Sequence, residues 1–271
     1  MKIFAVRDMN DSTNKDIAYL IYYEKAKRFY IELPDDADPW ETPLLLSSFL
    51  KRGERTVNSY WSRLWVQQRV IPQDRQNLGH ILKDNGLKDY DEFDLLVLAN
   101  GRCAQDDYYL SAISENDLPK SFAARQLRKV EDVVPLSGKN LLVFFRDGTI
   151  KKCALSACLS KDKTFAPLLQ NDKMFRTVSI QSGGYGVCWG ERLNISDDTL
   201  YNNGEDIPLS LEDFHSFVEN RIVNSAEAAA IMECSRQNIS DLVRRGKLHP
   251  IKSTPKNMLF LESEITQREW Q

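Results

Sequence analysis

The stretch Asn224 to Lys256, NSAEAAAIMECSRQNISDLVRRGKLHPIKSTPK, constrains this chain most, because its punctuation leaves few conformations open. Asn224 and Ser225 are helix-capping residues whose side-chain oxygens accept the orphan N–H groups of a first turn. Glu227, three residues after Asn224, completes a capping box. Ala226 and Ala228 to Ala230 are strong helix formers with little bulk, so a second helix can approach closely. The first helix is expected to stop at about Met232, with Glu233 and Cys234 as the turn and Ser235 as a second N-cap. Arg236 to Arg245 then reads as a helix that Gly246 ends in the left-handed conformation. Two short helices across a tight turn form the helix-turn-helix pattern.

The second helix sorts its residues by face. Ile239, Leu242 and Val243 recur at i, i+3 and i+4 and are expected to meet the first helix, leaving Arg236, Gln237, Ser240, Asp241 and Arg244 outside. Arg236, Gln237 and Asn238 occupy the first turn, the end of a recognition helix that meets bases, and arginine and amide side chains are the types that read guanine and adenine. Beyond Gly246, Leu248 and Ile251, then Leu259 with Phe260, read as two short strands joined by Ser253 to Asn257, a hairpin carrying Lys252 and Lys256. From Arg236 to Lys256 there are six basic residues (Arg236, Arg244, Arg245, Lys247, Lys252 and Lys256) against the single acid Asp241.

The run CSRQNISDLVRRGKLHPIK resembles the winged helix-turn-helix of the MerR and excisionase type, over roughly the last fifty residues. The resemblance implies binding to double-stranded DNA. Two positions depart from it: Glu233 stands where the family often has glycine, and Asp241 puts an acid on the DNA face. No long helix follows the wing, so the coiled-coil dimer of full MerR regulators is not implied. The alternative is a helical module that docks on protein.

A chain of 271 residues has room for two or three domains, and its 42% hydrophobic and 28% charged content is that of a globular protein. The longest apolar runs, such as Leu141 to Phe145, fall far below a membrane span, and the N-terminus lacks an apolar leader, so a cytoplasmic protein without a membrane partner is expected. The five cysteines (Cys103, Cys153, Cys158, Cys188, Cys234) form no C-x-x-C pair and read as reduced, buried thiols. Net charge is −3, but from Arg221 onward eight basic residues face six acidic ones, which leaves residues 1–220 at −5. An acidic body with a basic tip suits a regulator with a dedicated DNA-binding module.

In chain order, KIFAVRD, IAYLIYYE and RFYIEL alternate as strands and predict a three-stranded antiparallel meander. Helical spacing follows over Leu44 to Leu50, Val57 to Gln68, Gln73 to Lys83 and Asp91 to Leu98, with Pro72 at the first turn of one helix and Gly86 after its end. Trp61 and Trp65, at i and i+4, read as core or partner-interface anchors. The segment Arg69 to Leu110, through Pro72, Arg75, Phe93, Leu95, Leu96, Gly101, Arg102 and Cys103, resembles the small N-terminal subdomain of HipA-type toxin kinases. It departs at Gln105 to Asp107, and no kinase domain follows. The resemblance implies a free-standing subdomain of the kind that restrains such a kinase from outside; a small packing domain of unrelated role is the alternative.

Leu118 to Arg128 reads as a linker or short helix. Strand-like runs follow: VEDVVPL, LLVFF, TIKKCALSACL, FRTVSI and GVCWG, with a turn at Asp147-Gly148, a short helix around Phe165 to Leu169 and a hairpin around Ser182 to Gly186. The runs FRDGTIKKCAL, FAPLLQNDKMFRTVSI and GVCWGERLNISDDTLY are similar to the small family called domain of unknown function 2442, which implies a compact α+β fold but supplies no activity.

No catalytic or metal site assembles from these residues. Gly183-Gly184-Tyr185-Gly186 lacks the Lys and Ser/Thr of a phosphate-binding loop, and His80, His215 and His249 stand alone in sequence. The reading is therefore an α+β, multidomain chain: a HipA-subdomain-like mixed α/β domain over 1–126, a small α+β domain over 127–215 and a winged helix-turn-helix over 216–271. It is expected to be a non-enzymatic, cofactor-free transcriptional regulator, an antitoxin-like autorepressor of a toxin–antitoxin system that pairs with a HipA-type kinase. The phosphate contacts fall to Arg245, Lys247, Lys252 and Lys256, and the base contacts to Arg236, Gln237, Asn238, Ser240 and Arg244. One module buries little DNA, so a homodimer spanning two half-sites is expected. The alternative is a protein–protein adaptor.

Overall fold

Alternating β-branched and aromatic residues produce strands β1 (Lys2–Asp8), β2 (Ala18–Tyr23) and β3 (Arg28–Glu32), seen in a computed structural model that describes residues 1–155, 163–190 and 193–266. They form the expected antiparallel meander, with Ile3 opposite Ile21 and Ile21 opposite Tyr30. Two further strands extend it: β4 (Thr56–Val57) beside β3, and β5 (Tyr108–Ile113) beside β1, giving the order β4-β3-β2-β1-β5. Side chains two apart share a face, so each face has its own core. Val6, Leu20 and Ile31 pack against Leu46 and Phe49 of α1 (Leu44–Lys51), Trp65 of α2 (Ser59–Gln67) and Leu96 of α4 (Glu92–Leu98). Ile3, Ile21 and Tyr30 pack on the other face against Phe122 of α5 (Lys120–Leu127) and Tyr185.

Two helices are shorter than the sequence predicts. Val57 pairs with Ile31 in β4, so α2 begins only after Asn58, whose side chain accepts the Trp61 N–H at 3.2 Å. Pro72 does not open a helix: its carbonyl accepts the Arg75 N–H at 3.2 Å in a turn, and α3 (Leu78–Asp84) starts later. Of the two tryptophans on α2, Trp65 is buried, while Trp61 stays 40% exposed and sets its edge on the Phe49 ring.

The next block builds two sheets around one core. Strands β6 (Val130–Pro135), β7 (Asn140–Phe145), β8 (Ile150–Ala154) and β12 (Glu205–Asp206) lie in the order β12-β8-β7-β6. Strands β9 (Ser179–Ile180), β10 (Gly186–Trp189) and β11 (Leu193–Ser196) lie in the order β11-β10-β9. Helices α6 (Ala166–Gln170), α7 (Asp172–Phe175) and α8 (Asp197–Asn203) supply Leu168, Phe175 and Leu200 to the core of Val143, Phe145, Val187 and Trp189. The run FRTVSI is strand only at its end, because Asn171 caps α7 by accepting the Met174 N–H at 3.1 Å and Phe175 closes that helix. The second half of TIKKCALSACL, with Cys158, lies outside the described residues. The four described cysteines form no disulfide with one another; Cys153 is buried and its thiol donates to the Leu200 carbonyl at 3.3 Å, whereas Cys103, Cys188 and Cys234, expected to be buried, are only partly so.

Helices beside antiparallel sheets make the chain α+β. Met1–Asp147 with Lys151–Asp206 form one compact unit, and Gly148–Ile150 with Ile207–Gln271 form another. No helix among the described residues is long and apolar enough to cross a membrane.

Inside the first unit, three ionised groups are buried together. The Lys129 ammonium lies 3.2 Å from Glu32 Oε1 on β3 and 2.8 Å from Asp197 Oδ2 on α8, and all three residues are at most 2% exposed. Arg125 adds its Nε to Glu32 Oε2 at 3.2 Å and Nη1 to Asp35 at 2.6 Å. Burial alone would drive Lys129 toward losing its proton. Glu32 and Asp197 outweigh that cost and hold its pKa above the ordinary lysine value. The Asp197 pKa is also raised: burial lifts it, Lys129 offsets this in part, and Oδ1 has no hydrogen-bond partner among the described residues. Lys129 also sits 3.9 Å above the Tyr185 ring, which stacks on Tyr30 at 3.9 Å. The glycine run before Tyr185 serves this packing. A Cβ on Gly183 would stand 2.2 Å from the Tyr23 hydroxyl oxygen, and one on Gly184 would stand 2.4 Å from the Val130 carbonyl.

Candidate nucleic-acid interface

In the C-terminal unit, local hydrogen bonds set two helices. The Asn224 side chain accepts the N–H groups of Ala226 at 2.8 Å and Glu227 at 3.1 Å, and the Glu227 carboxylate accepts the Asn224 N–H at 2.8 Å. This capping box starts α10 (Ser225–Ile231). The Ser235 hydroxyl accepts the Asn238 N–H at 3.2 Å and starts α11 (Arg236–Arg244). Gly246, at φ 63°, ends α11: its N–H donates to the Val243 carbonyl and that of Lys247 to the Leu242 carbonyl, both at 2.9 Å.

The turn between the helices closes in the same way, but without a glycine. Glu233 adopts φ 48°, its N–H donates to the Ala230 carbonyl at 3.2 Å, and the Cys234 N–H donates to that of Ala229 at 2.9 Å. A side chain there costs about 1–2 kcal/mol, of which glycine's greater unfolded-state entropy returns about 0.5–1. Glu233→Gly is therefore expected to stabilise the C-terminal unit by about 0.5–1 kcal/mol, read as a rise in the urea midpoint of its unfolding transition. An unchanged or lower midpoint would show that the turn carries no such strain.

Ala228 and Ala229 are buried against Ile239, with Leu242 and Val243 partly buried beside them. Successive α-helical residues turn by about 100°, so Gln237, Asp241 and Arg244 lie opposite Ile239, Ser240 and Arg245 flank them, and Arg236 and Asn238 form the rim. Arg236, Gln237, Asn238, Ser240, Arg244 and Arg245 are exposed. Two of these groups are engaged locally. The Ser240 hydroxyl donates to the Arg236 carbonyl at 3.2 Å, and Arg244 Nη2 donates to half-buried Asp241 at 2.6 Å. Asp241 thus sits at the centre of the outward face and tethers the guanidinium beside it.

Lys252 and Lys256, both exposed, come from a hairpin. Strands β14 (Lys252–Thr254) and β15 (Asn257–Leu261) close on Thr254 and Asn257, with Lys256 at the tip. Lys247 is exposed just after Gly246. Leu248 and Ile251, expected in the first hairpin strand, both precede it: Leu248 is a buried core residue beside Phe260, and Ile251 is 55% exposed. Sequence reading missed a third strand, β13 (Ile222–Asn224), which pairs with β15 on the side away from β14. The β-branched pair Ile222-Val223 is the signal for it. Arg221, ending α9 (Leu211–Arg221), pairs with Glu262 at 3.0 Å, at the start of α12 (Glu262–Thr266). His249 is exposed and its Nδ1 lies 3.0 Å from Glu264 Oε1.

A different candidate lies in the first unit, where an open cleft of about 880 Å³ is lined by Arg55, Arg125, Arg128, Gln181, Asn194 and Thr199, among others. Two of its cations are spent within the fold. Arg125 serves Glu32, Asp35 and the Leu33 carbonyl, and Arg55 donates to the Pro34 and Asp35 carbonyls. The basic side chains of the C-terminal cluster Arg236, Arg245, Lys247, Lys252 and Lys256, by contrast, are exposed.

Residues 130–206, β6 through β12, match the family described as "Protein of unknown function (DUF2442)". No curated protein and no solved structure matches the chain significantly.

Proposed function

We propose that this chain is a non-enzymatic, DNA-binding transcriptional regulator whose C-terminal unit is a winged helix-turn-helix. The observation that carries the reading is the exposed side of α11, where Gln237 and Arg244 on the outward face, Ser240 beside them and Arg236 and Asn238 on the rim are all open to solvent while Ile239 is buried. Arg245, Lys247, Lys252 and Lys256 position the module on phosphates, and the α11 residues read base edges in the major groove. Asp241 contributes specificity in two ways: it orients Arg244, and its carboxylate suits a cytosine amino group while opposing non-specific phosphate contact.

Specific repression needs two modules on half-sites about one helical turn, roughly 34 Å, apart, so the active species is a homodimer. The likeness of Arg69 to Leu110 to the subdomain of HipA-type kinases supports an antitoxin-like role, with the chain binding such a kinase and repressing its own operon. Binding assays on genomic fragments test the DNA reading. Arg236→Ala is expected to lose about 1–3 kcal/mol of discrimination between best and mismatched sites, with little change on non-specific DNA. Equal losses on every sequence would reduce Arg236 to a phosphate contact, and no DNA binding at all would leave the adaptor reading.

A further inference from the structure

An apolar surface stands on the first unit, formed by Trp40 and Leu44. Trp40 is 88% exposed and Leu44 86% exposed, the highest values among the described large apolar side chains. They are not on a loose loop. Asp38 Oδ1 accepts the Trp40 N–H at 2.8 Å, the Asp38 carbonyl accepts the Thr42 hydroxyl at 2.7 Å and the Glu41 N–H at 3.1 Å, and Thr42 is buried. The Lys51 ammonium lies 5.4 Å from the centre of the Trp40 ring. Leu44, Ser48 and Lys51 recur at i, i+4 and i+7, so this face of α1 looks outward while Leu46, Phe49 and Leu50 fill the core. A large rigid ring held ready costs little entropy to dock, which is how interface anchors work.

The rim decides the occupant. Between Asp35 and Glu54 there are five acids and two bases; Asp35 pairs with Arg125, Glu41 with Lys15 and Glu54 with Arg52, and Asp36 and Asp38, both exposed, stand outside those pairs as the acids beside the anchor loop. A nucleic acid would be repelled. A second copy docking face to face would set one acidic rim against the other, because a two-fold contact uses the same patch twice. We propose that Trp40 and Leu44 are the docking surface for a protein partner presenting an apolar ridge flanked by lysines and arginines. This extends the reading of the N-terminal block as a protein-binding part, and it fails or holds separately from DNA binding.

Two synthetic amphipathic helical peptides with one leucine ridge, flanked in one by lysines and in the other by glutamates, test it by fluorescence anisotropy with the full chain. The lysine-flanked peptide is expected to bind, to weaken as salt rises, and to bind Trp40→Ser or Leu44→Ser at least about 30-fold more weakly, the loss of a hot-spot truncation. Tyr60→Ser, at another exposed aromatic, is expected to change binding less than about twofold. DNA affinity of the Trp40 variant should match that of the unmodified chain, which separates this surface from the C-terminal one. Equal binding of both peptides, insensitivity to Trp40 and Leu44, or no binding up to about 1 mM would overturn the proposal. So would sedimentation showing that the chain dimerises through Trp40.

Discussion

Lys129→Ala is expected to destabilise the first unit by about 3–5 kcal/mol at neutral pH, the usual result of removing one partner from a buried ionic cluster. The loss falls mainly on Asp197. Glu32 keeps Arg125 at 3.2 Å and the Thr56 hydroxyl at 3.2 Å, whereas Lys129 is the cation within bonding reach of Asp197, whose Oδ1 already lacks a partner. Without Lys129, the carboxylate stays buried with no compensating charge, so its folded pKa, already above the free value, rises further. A raised acid pKa costs stability above it and stops costing as pH falls through it. The variant's deficit is therefore expected to shrink toward acid, a trend that simple cavity formation would not show. Urea denaturation at several pH values distinguishes the two, and pairing Lys129→Met with Asp197→Asn should recover part of the loss. A deficit below about 1 kcal/mol at neutral pH would mean that water or rearrangement satisfies Asp197.

What the sequence shows well is what neighbouring residues decide. The Asn224–Glu227 box, the Ser235 cap and the Gly246 terminus all close through partners a few residues away, and each is seen where the pattern places it. The outward face of α11 follows from the same 3.6-residue repeat. Distant partners leave no such trace. Lys129 meets Asp197 across 68 positions and Arg125 meets Glu32 across 93, and nothing near either residue announces the pairing. Strand β4 is only Thr56–Val57, too short for alternation to register, and its pairing with β3 overrides the helical spacing that begins at Val57. Proline at a first helical turn is permitted rather than required, which is why Pro72 misleads. Trp40 precedes its helix, so no periodic pattern flags it, while Trp61 and Trp65 at helical spacing draw attention and only Trp65 is fully in the core.

The second large effect is electrostatic. Each phosphate neutralised by a cation releases condensed counterions, and the slope of log affinity against log salt is about −0.9 per contact. Arg245, Lys247, Lys252 and Lys256 are exposed and placed on the helix end and hairpin, so one module should give a slope of about −3.5 and a dimer about −7. Between 50 and 200 mM salt, affinity should then fall about 10²-fold for one module and about 10⁴-fold for two. A chain of net charge −3 has no general attraction for DNA, so this response must come from the tip. The decisive measurement is the salt dependence of binding to duplex DNA, for the unmodified chain and for one with these four residues changed to alanine. The regulator reading predicts a steep slope that flattens by about 3.5 per module in the variant; a slope near zero in the unmodified chain, or one the four substitutions leave unchanged, would contradict it.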